Sequence, residues 1–155
     1  MTTLKQGDKA PAFKAKDQNG AIHQLKDYKG KKLALYFYPR DNTPTCTVQA
    51  CNLRDHYEAL QQAGITILGV STDDEQSHKK FETKHQLPFP LLEDSAHKMV
   101  NDYGVWGPKK FMGKEFDGTH RTTFLIDEKG KIAHIIEKVK SKEHAAQILQ
   151  IWEAH

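Results

Sequence analysis

The stretch KLALYFYPRDNTPTCTVQAC, residues Lys32–Cys51, contains a candidate strand, a candidate helix start and both cysteines of the chain. Its first seven residues form an apolar, aromatic-rich run, which is typical of a strand buried on both faces. Thr43 has the side chain of a helix N-cap, and Pro44 occupies the first helical position, which tolerates proline. The stretch therefore predicts a buried strand followed at once by a helix that carries both thiols.

The residues after this stretch complete a strand–helix–strand unit. Apolar side chains recur at spacings of three and four, through Cys46, Ala50, Leu53, Tyr57 and Leu60, and predict one amphipathic helix that ends at Gly64. A second apolar run, ITILGVS, follows directly and predicts another buried strand. Two buried strands joined by a helix indicate a parallel pair with a right-handed crossover.

The flanking segments add two hairpins and more helices. Before the unit, APAFKAK and IHQL predict a hairpin closed by a two-residue turn at Asn19-Gly20. After it, a helix is expected in DDEQSHKKFETKHQ, acidic at its start and basic toward its end, followed by a short extended piece in LPFPLL. A further helix is expected to be capped by Ser95 and to end at Gly104.

The last third of the chain predicts a long loop, a hairpin and a helix. The loop spans Val105 to His120 and is rich in glycine. The segments RTTFLID and KIAHIIEKV have β-branched residues on both sides of a turn and predict an antiparallel pair. Ser141 is expected to cap a final helix. The predicted fold class is thus α/β, with a mixed central sheet flanked by helices and an N-terminal β-hairpin.

Composition limits the classes of protein to consider. The chain has 155 residues, 37% hydrophobic and 28% charged, which suits a single globular domain spanning residues 1–155. Its net charge is only +3, and its densest basic cluster, Lys29–Lys32, lies at an expected turn, so no nucleic-acid partner is expected. The N-terminus has no apolar run and no segment approaches the roughly 20 apolar residues of a membrane span, so we expect a cytoplasmic protein without a membrane partner.

The cysteine spacing is unfavourable for a disulfide within a helix. Residues five apart on an α-helix differ by about 140° around the axis, which places their Cα atoms roughly 8.7 Å apart. A disulfide requires a Cα separation below about 7 Å. Cys46 and Cys51 therefore cannot bond while the helix is intact, and a bond between them requires local unwinding.

Several roles for this pair remain open from the residues alone. Free cysteines are often buried and inert. A zinc site would use His56 in a C-x4-C-x4-H pattern, but five-residue steps turn the three side chains apart and a fourth ligand is missing. The chain has no C-x-x-C motif of the thioredoxin type. The position of Cys46 favours reactivity, because the unpaired N–H groups and the dipole of a first helical turn favour an anion, and the thiolate is the nucleophilic form.

The residues Pro39-Arg40-Asp41-Asn42-Thr43-Pro44-Thr45-Cys46 resemble the P-x-x-x-T-x-x-C active-site motif of the peroxiredoxins. The longer match FYPRDNTPTCTVQACNLRD, with a second cysteine five residues on, resembles the bacterioferritin comigratory protein subgroup, also called the Q-type peroxiredoxins. The segments GDKAPAF, LGVSTDD, YGVWG and RTTFLID extend the resemblance over nearly the whole chain.

The resemblance implies a thioredoxin-like fold and a thiol peroxidase that reduces hydrogen peroxide and organic hydroperoxides. Cys46 would be the peroxidatic cysteine and Cys51 the resolving one, joined as an intramolecular disulfide that thioredoxin or a similar dithiol reduces. Thr43 would hydrogen-bond the thiolate and the peroxide, Pro39 would shield the pocket from water, and Arg121 would be the active-site arginine. Neither a cofactor nor a metal is implied, and a monomer or a weak dimer is expected.

Two departures from the family pattern and two rival functions follow from the same residues. Thr45 stands where relatives usually have glycine, and Gln49 stands where they often have glutamate. A non-enzymatic redox sensor would use the Cys46–Cys51 pair as a switch, and a thiol:disulfide oxidoreductase would reduce protein disulfides without peroxide. The threonine and the arginine around Cys46 favour peroxide chemistry over both.

Overall fold

The computed structural model describes residues 2–154. Its strands are β1 (Lys14–Lys16), β2 (Ile22–Gln24), β3 (Lys32–Phe37), β4 (Ile65–Ser71), β5 (Leu91–Glu93), β6 (Trp106–Phe111), β7 (Lys114–Thr119), β8 (Thr122–Ile126) and β9 (Ile132–Ile136). Its helices are α1 (Pro44–Asp55), α2 (Tyr57–Gln62), α3 (Glu75–His85), α4 (Lys98–Asp102) and α5 (His144–Glu153). Short 3-10 turns span Leu25–Tyr28 and Ser141–Glu143.

The central sheet has five strands in the order β5-β4-β3-β8-β9. β3 pairs in parallel with β4, and β4 with β5, while β8 runs antiparallel to both β3 and β9. The sheet is therefore mixed, parallel on the side of the helical crossover and antiparallel on the side of the C-terminal hairpin. This arrangement confirms the predicted fold class and the predicted pairing of β8 with β9.

Strand β3 is buried on both faces, as its composition predicts. Ala34, Tyr36 and Tyr38 belong to one core cluster, which α1, α2, α3 and α5 cover. The alternating Leu33, Leu35 and Phe37 belong to a second cluster on the opposite face, which includes Met99 and Val100 of α4. Because side chains alternate along a strand, a continuous apolar run supplies both clusters at once.

The long helix predicted up to Gly64 is interrupted, which corrects that prediction. α1 ends at Asp55 and α2 begins at Tyr57, because His56 adopts φ −111° and ψ 17°. The hydrogen bonds His56 N–H to Asn52 C=O (3.2 Å) and Leu60 N–H to His56 C=O (3.1 Å) span the bend. The amphipathic stripe therefore continues across a local distortion that the side-chain pattern does not signal.

The N-terminal hairpin forms, but its loop is longer than the predicted two-residue turn. Lys16 pairs with Ile22, and the backbone N–H of Asp17 donates to Ala21 C=O. The Asp17 carboxylate accepts the backbone N–H groups of both Asn19 and Ala21, and this stabilises the longer loop. Gly20 has a positive φ of 80°, which its lack of a side chain allows.

The segment Val105–His120, expected to be a loop, contains the antiparallel pair β6–β7, so that prediction was wrong. Phe111 pairs with Lys114, which leaves Met112 and Gly113 as a two-residue turn. Both have positive φ, 52° and 79°, as a type I′ hairpin turn requires. Most side chains of this hairpin are exposed to some degree, so the segment lacks the apolar alternation that identifies a half-buried strand.

Two predicted caps also need correction. Ser95 does not cap α4; the Asp94 carboxylate accepts the backbone N–H groups of Met99 and Val100 and takes that role. Ser141 lies in a 3-10 turn, and α5 begins three residues later, at His144. Both serines lie three residues before the first residue of the observed helix. At α4 the neighbouring Asp94 shares the capping preference of serine, which explains that error.

Candidate active site

Cys46 lies in the first turn of α1, which follows β3 after the loop 38–43. Thr43 is in the N-cap position with extended backbone angles, and Pro44 begins the helix, as predicted, but the Thr43 side chain makes no capping hydrogen bond to the helix. The side chain of Cys46 is buried, with 2% of the residue exposed, and both cysteines are free thiols. A buried sulfur faces the end of a helix whose first N–H groups have no partners within the helix, an environment that favours an anion.

Arg121 contacts Cys46, although 75 residues separate them. Its Nη2 donates to the Cys46 Sγ over 3.3 Å, and its Nη1 donates to the Gln49 Oε1 over 2.5 Å. The register of the sheet explains the contact: Phe37, at the end of β3, pairs with Thr122, at the start of β8. Arg121 therefore lies at the edge of the sheet where the chain leaves β3 toward Cys46.

Gln49 and His144 continue this contact into the protein interior. The Gln49 side chain is fully buried, and its Nε2 donates to the His144 Nδ1 over 3.1 Å. The His144 Nε2 lies 2.9 Å from the Thr123 hydroxyl. Burial, and then the positive charge of Arg121, lower the pKa of His144 to about 3. His144 is thus neutral, and its Nδ1 accepts from Gln49 while its Nε2–H donates to Thr123.

Lys109, on the β6–β7 hairpin, brings a second positive charge to the site. Its ammonium group donates to the Thr119 C=O over 2.9 Å. Burial lowers the pKa of Lys109, the positive charge of Arg121 lowers it further, and the negative charge of the Cys46 thiolate opposes both. Sequence reasoning missed Lys109, because it placed the segment in a loop and gave no reason to bring it near Cys46.

The loop between β3 and α1 is fixed by a buried carboxylate. Asp41 accepts hydrogen bonds from the Tyr38 hydroxyl (2.6 Å), the Ser77 hydroxyl (2.8 Å) and the His78 Nδ1 (2.7 Å). The other ring nitrogen of His78 donates to the Leu92 C=O. Burial alone would lower the pKa of His78, but the hydrogen bond and charge of Asp41 outweigh it and raise that pKa. A buried ion pair thus ties the loop to α3.

Asp41, Asp73 and His78 are also the one group within residues 2–154 whose side chains could hold a metal ion, with ligand atoms within 4.8 Å of one another. These atoms already hydrogen-bond to protein groups: Asp73 accepts the Asp41 N–H and the Ser71 hydroxyl, and Asp41 accepts the three donors given above. The cluster is therefore explained as a hydrogen-bonded support for the loop.

Pro39 and Thr43 lie at the two ends of the same loop. Pro39 lines a groove of about 300 Å³ together with Trp106, Lys109 and Phe116, between the loop and the β6–β7 hairpin. The Thr43 hydroxyl donates to the Arg40 C=O over 2.9 Å, which leaves its oxygen lone pairs open to a donor. The side chain of Thr45, directly before Cys46, is exposed, so its bulk meets solvent.

Cys51 lies on the same intact helix as Cys46 but has different surroundings. It is half-buried, and its Sγ lies 3.8 Å from the Nδ1 of His85, at the end of α3. With α1 continuous from Pro44 to Asp55, helix geometry keeps the two Cα atoms roughly 8.7 Å apart. The structure thus has the two thiols reduced and unable to bond without a change in α1.

The fold and the site define a thiol-based class of enzyme: a mixed α/β sheet that presents a cysteine at a helix start beside an arginine. Comparison with known proteins identifies the family within this class of enzymes. Residues 6–135 match the AhpC/TSA family, to which this chain belongs. Peroxiredoxin Bcp of Escherichia coli is 45% identical over 155 residues, covering 100% of this chain and 99% of the relative. Peroxiredoxin Bcp of Bacillus subtilis is 47% identical over 148 residues, covering 96% and 94%.

Solved structures agree with this assignment. A mutant of Xylella fastidiosa PrxQ superposes with a TM-score of 0.93 at 30% identity, covering 100% of this chain and 99% of that one. The bacterioferritin comigratory protein of Xanthomonas campestris, studied for alkyl peroxide reduction, superposes with a TM-score of 0.90 at 31% identity, covering 100% and 99%. The thioredoxin-like peroxiredoxin fold is confirmed, and the chain is a peroxiredoxin, a thiol peroxidase.

No helix in the part of the chain that the structure describes is both long enough and apolar enough to cross a membrane.

Proposed function

We propose that Cys46 is the peroxidatic cysteine of this peroxiredoxin and that it reduces hydrogen peroxide and organic hydroperoxides. Its thiolate attacks the terminal oxygen, the O–O bond breaks, and the products are a sulfenic acid on Cys46 and a leaving oxygen that is protonated to water or an alcohol. The observation that carries the proposal is the contact of the Arg121 guanidinium with the buried Cys46 Sγ, at 3.3 Å.

Arg121 has two roles in this proposal. Its hydrogen bond stabilises the thiolate before reaction, and its charge stabilises the negative charge that spreads over the O–O bond as that bond breaks. Gln49 and His144 hold the guanidinium in place through the chain of hydrogen bonds described above. Because Gln49 is a neutral amide, it orients Arg121 and leaves the positive charge of the guanidinium uncompensated. The carboxylate of a glutamate would neutralise that charge.

Thr43 and Pro39 complete the proposed peroxide site. The Thr43 hydroxyl already donates to the Arg40 C=O, so it can accept the O–H of a bound hydroperoxide while keeping that bond. Pro39 has no N–H and lines the groove beside the loop, which suits the exclusion of water from the reacting sulfur. Positioning of the peroxide by these groups supplies rate beyond that of a simple thiolate.

Cys51 resolves the sulfenic acid in the proposed cycle. Its sulfur attacks the Cys46 sulfur, an intramolecular disulfide forms, and water leaves. The intact α1 supports a mechanism in which the helix must first unwind locally, since its geometry keeps the sulfurs apart. Thioredoxin or a similar dithiol then reduces the disulfide. Resolution protects Cys46 from further oxidation.

A coupled peroxidase assay with thioredoxin, thioredoxin reductase and NADPH tests the cycle on the wild type and two variants. Cys46→Ser should abolish peroxide consumption, and activity in this variant would refute the peroxidatic role. Cys51→Ser should complete one oxidation and lose thioredoxin-coupled turnover; normal turnover would refute the resolving role. A redox sensor would consume about one equivalent of peroxide per chain and stop, which separates it from an enzyme.

A further inference from the structure

The imidazole of His85 contacts the thiol of Cys51. Its Nδ1 lies 3.8 Å from the Cys51 Sγ, within hydrogen-bond range for sulfur. The ring packs edge-on against Phe81, with centroids 5.4 Å apart and planes at 79°, so its orientation is fixed. The residue lies at the C-terminal end of α3, and neither the peroxidatic motif nor the Arg121 contact includes it.

We infer that His85 is the general base of the resolving step. This inference rests on the proposed resolving role of Cys51. The His85 Nδ1 accepts the Cys51 thiol proton, and the resulting thiolate attacks the sulfur of the Cys46 sulfenic acid. The S–S bond forms as the S–O bond breaks, and the imidazolium returns the proton to the departing hydroxide, which leaves as water. The sulfenic acid is the only oxidant that the step uses.

The charge state of His85 suits this role. Burial lowers the pKa of His85, and the neighbouring cations Lys84 and Arg54 lower it further. Its ring is therefore neutral near neutral pH, and Nδ1 can accept the thiol proton while Nε2 carries the hydrogen. The sulfur is the nucleophile only as the thiolate, so a base within hydrogen-bond range can take the thiol proton as the sulfur attacks.

The contacts of α1 keep Cys51 beside His85 while the helix opens. On the C-terminal side of Cys51, the Asn52 amide donates to the Lys142 C=O and accepts the Ala145 N–H, which fixes this part of α1 to the start of α5. Two residues further, the Arg54 Nη1 donates to the backbone C=O of His85 itself, over 2.8 Å. Unwinding confined to the turns before Cys51 would therefore bring Cys46 to a stationary Cys51–His85 pair.

Single-turnover kinetics test this inference on the full chain with thioredoxin omitted. One equivalent of hydrogen peroxide is added to the reduced protein, and the Cys46 sulfenic acid and the Cys46–Cys51 disulfide are quantified by mass spectrometry after acid quenching. His85→Phe keeps an aromatic ring against Phe81 but has no base, and His85→Ala opens space for added imidazole. His56→Ala, which removes an exposed imidazole five residues after Cys51, is the matched control.

Both His85 variants should form sulfenic acid at the wild-type rate and form the disulfide more slowly, by about 100-fold or more. Imidazole should restore a large part of the rate in His85→Ala, and His56→Ala should match the wild type. In the wild type, the rate of disulfide formation should depend on the protonation of His85. In His85→Phe this dependence should be absent. A merely structural role for His85 would give neither the imidazole rescue nor the changed pH profile.

Two results would overturn the inference in different ways. If the wild type and both His85 variants form the disulfide at rates within twofold of each other, His85 is not the base, while the resolving role of Cys51 stands. If the wild type forms no Cys46–Cys51 disulfide at all, the resolving role fails and the base assignment fails with it. A normal first oxidation in each variant confirms that the variant is folded.

Discussion

The low pKa of His144 predicts a loss of stability in mild acid. The folded-state pKa is about 3, whereas a histidine in an unfolded chain titrates near about 6.5. Below about pH 6.5 the unfolded state binds a proton that the folded state does not, so stability is complete above this pH and falls as the pH falls. At about pH 5 the cost is about 2 kcal/mol, from about 1.4 kcal/mol for each unit below 6.5.

The variant His144→Asn separates this titration from the hydrogen bond to Gln49. Asparagine does not titrate and keeps an acceptor close to the position of the His144 Nδ1. Loss of the Thr123 hydrogen bond and of ring volume should make the variant less stable by about 1–3 kcal/mol near neutral pH. Between about pH 7.5 and pH 5, the wild type should then lose about 2 kcal/mol more than the variant does.

Urea denaturation of the reduced protein at the two pH values, followed by circular dichroism, measures these free energies. The other titrating groups are common to both proteins and cancel in the difference. His56→Asn removes an exposed imidazole and should keep the wild-type pH dependence. Equal losses of stability in wild type and His144→Asn would refute a neutral, buried His144, and with it the assigned direction of the Gln49 hydrogen bond.

Three further predictions concern the charges around the loop and the sulfur. Arg121→Met should slow the first oxidation of Cys46 about 10- to 150-fold, because it removes a charge-assisted hydrogen bond of about 1.5–3 kcal/mol; stopped-flow peroxide consumption measures this, and a change below threefold would contradict it. Lys109→Met should slow the same step about two- to fivefold, for a charge interaction of up to about 1 kcal/mol, whereas Lys110→Met, which removes the exposed neighbouring charge, should not. His78→Asn should lower the free energy of unfolding by about 3–5 kcal/mol, because it leaves a buried carboxylate without its cation. Since the pKa of His78 is raised, its contribution is complete below about pH 6.5 and is lost as the pH rises through the folded-state value, so the wild-type advantage in urea denaturation should shrink toward alkaline pH; an advantage that grows instead would be inconsistent with the ion pair.

Local sequence patterns predicted the parts of the fold that local physics controls. The apolar runs of β3 and β4 and the proline-started α1 have strong short-range signals, and the structure has them where expected. The β6–β7 hairpin was missed because its strands are largely exposed and its turn places Met112, not asparagine or glycine, at a positive φ. Strands that are exposed on both faces lack the alternation of apolar and polar residues by which a strand is predicted from sequence.

The candidate site also contains residues that local sequence predicts and residues that only the folded chain brings together. The helix start at Cys46 is a local feature, and its chemistry follows from the residues around it. Arg121, Lys109 and His144 reach the site only through long-range pairings of strands and helices, so no spacing in the sequence places them near Cys46. The family resemblance supplied Arg121, because the motif RTTFLID carries information about the whole fold. It gave no role to His144 or Lys109.

In the proposed cycle, the contacts that activate Cys46 also hold the part of α1 that has to open before the disulfide can form. Arg121 joins the helix at Cys46 and at Gln49, and Gln49 in turn joins it to His144 of α5. A thiolate is a charged acceptor, whereas a sulfenic acid is neutral, and hydrogen bonds to charged groups are about twice as strong as those between neutral groups. Oxidation of Cys46 in the proposed cycle would therefore weaken one of the hydrogen bonds that hold the first turns of α1, at the step that requires unwinding. The turns after Cys51 have ties that do not involve the reacting sulfur, through Asn52 and Arg54. Cys51 thus separates two parts of α1: the hydrogen bonds of the part before it depend on the redox state of Cys46, and those of the part after it do not. This difference would allow a disulfide to form across a spacing that an intact helix does not permit.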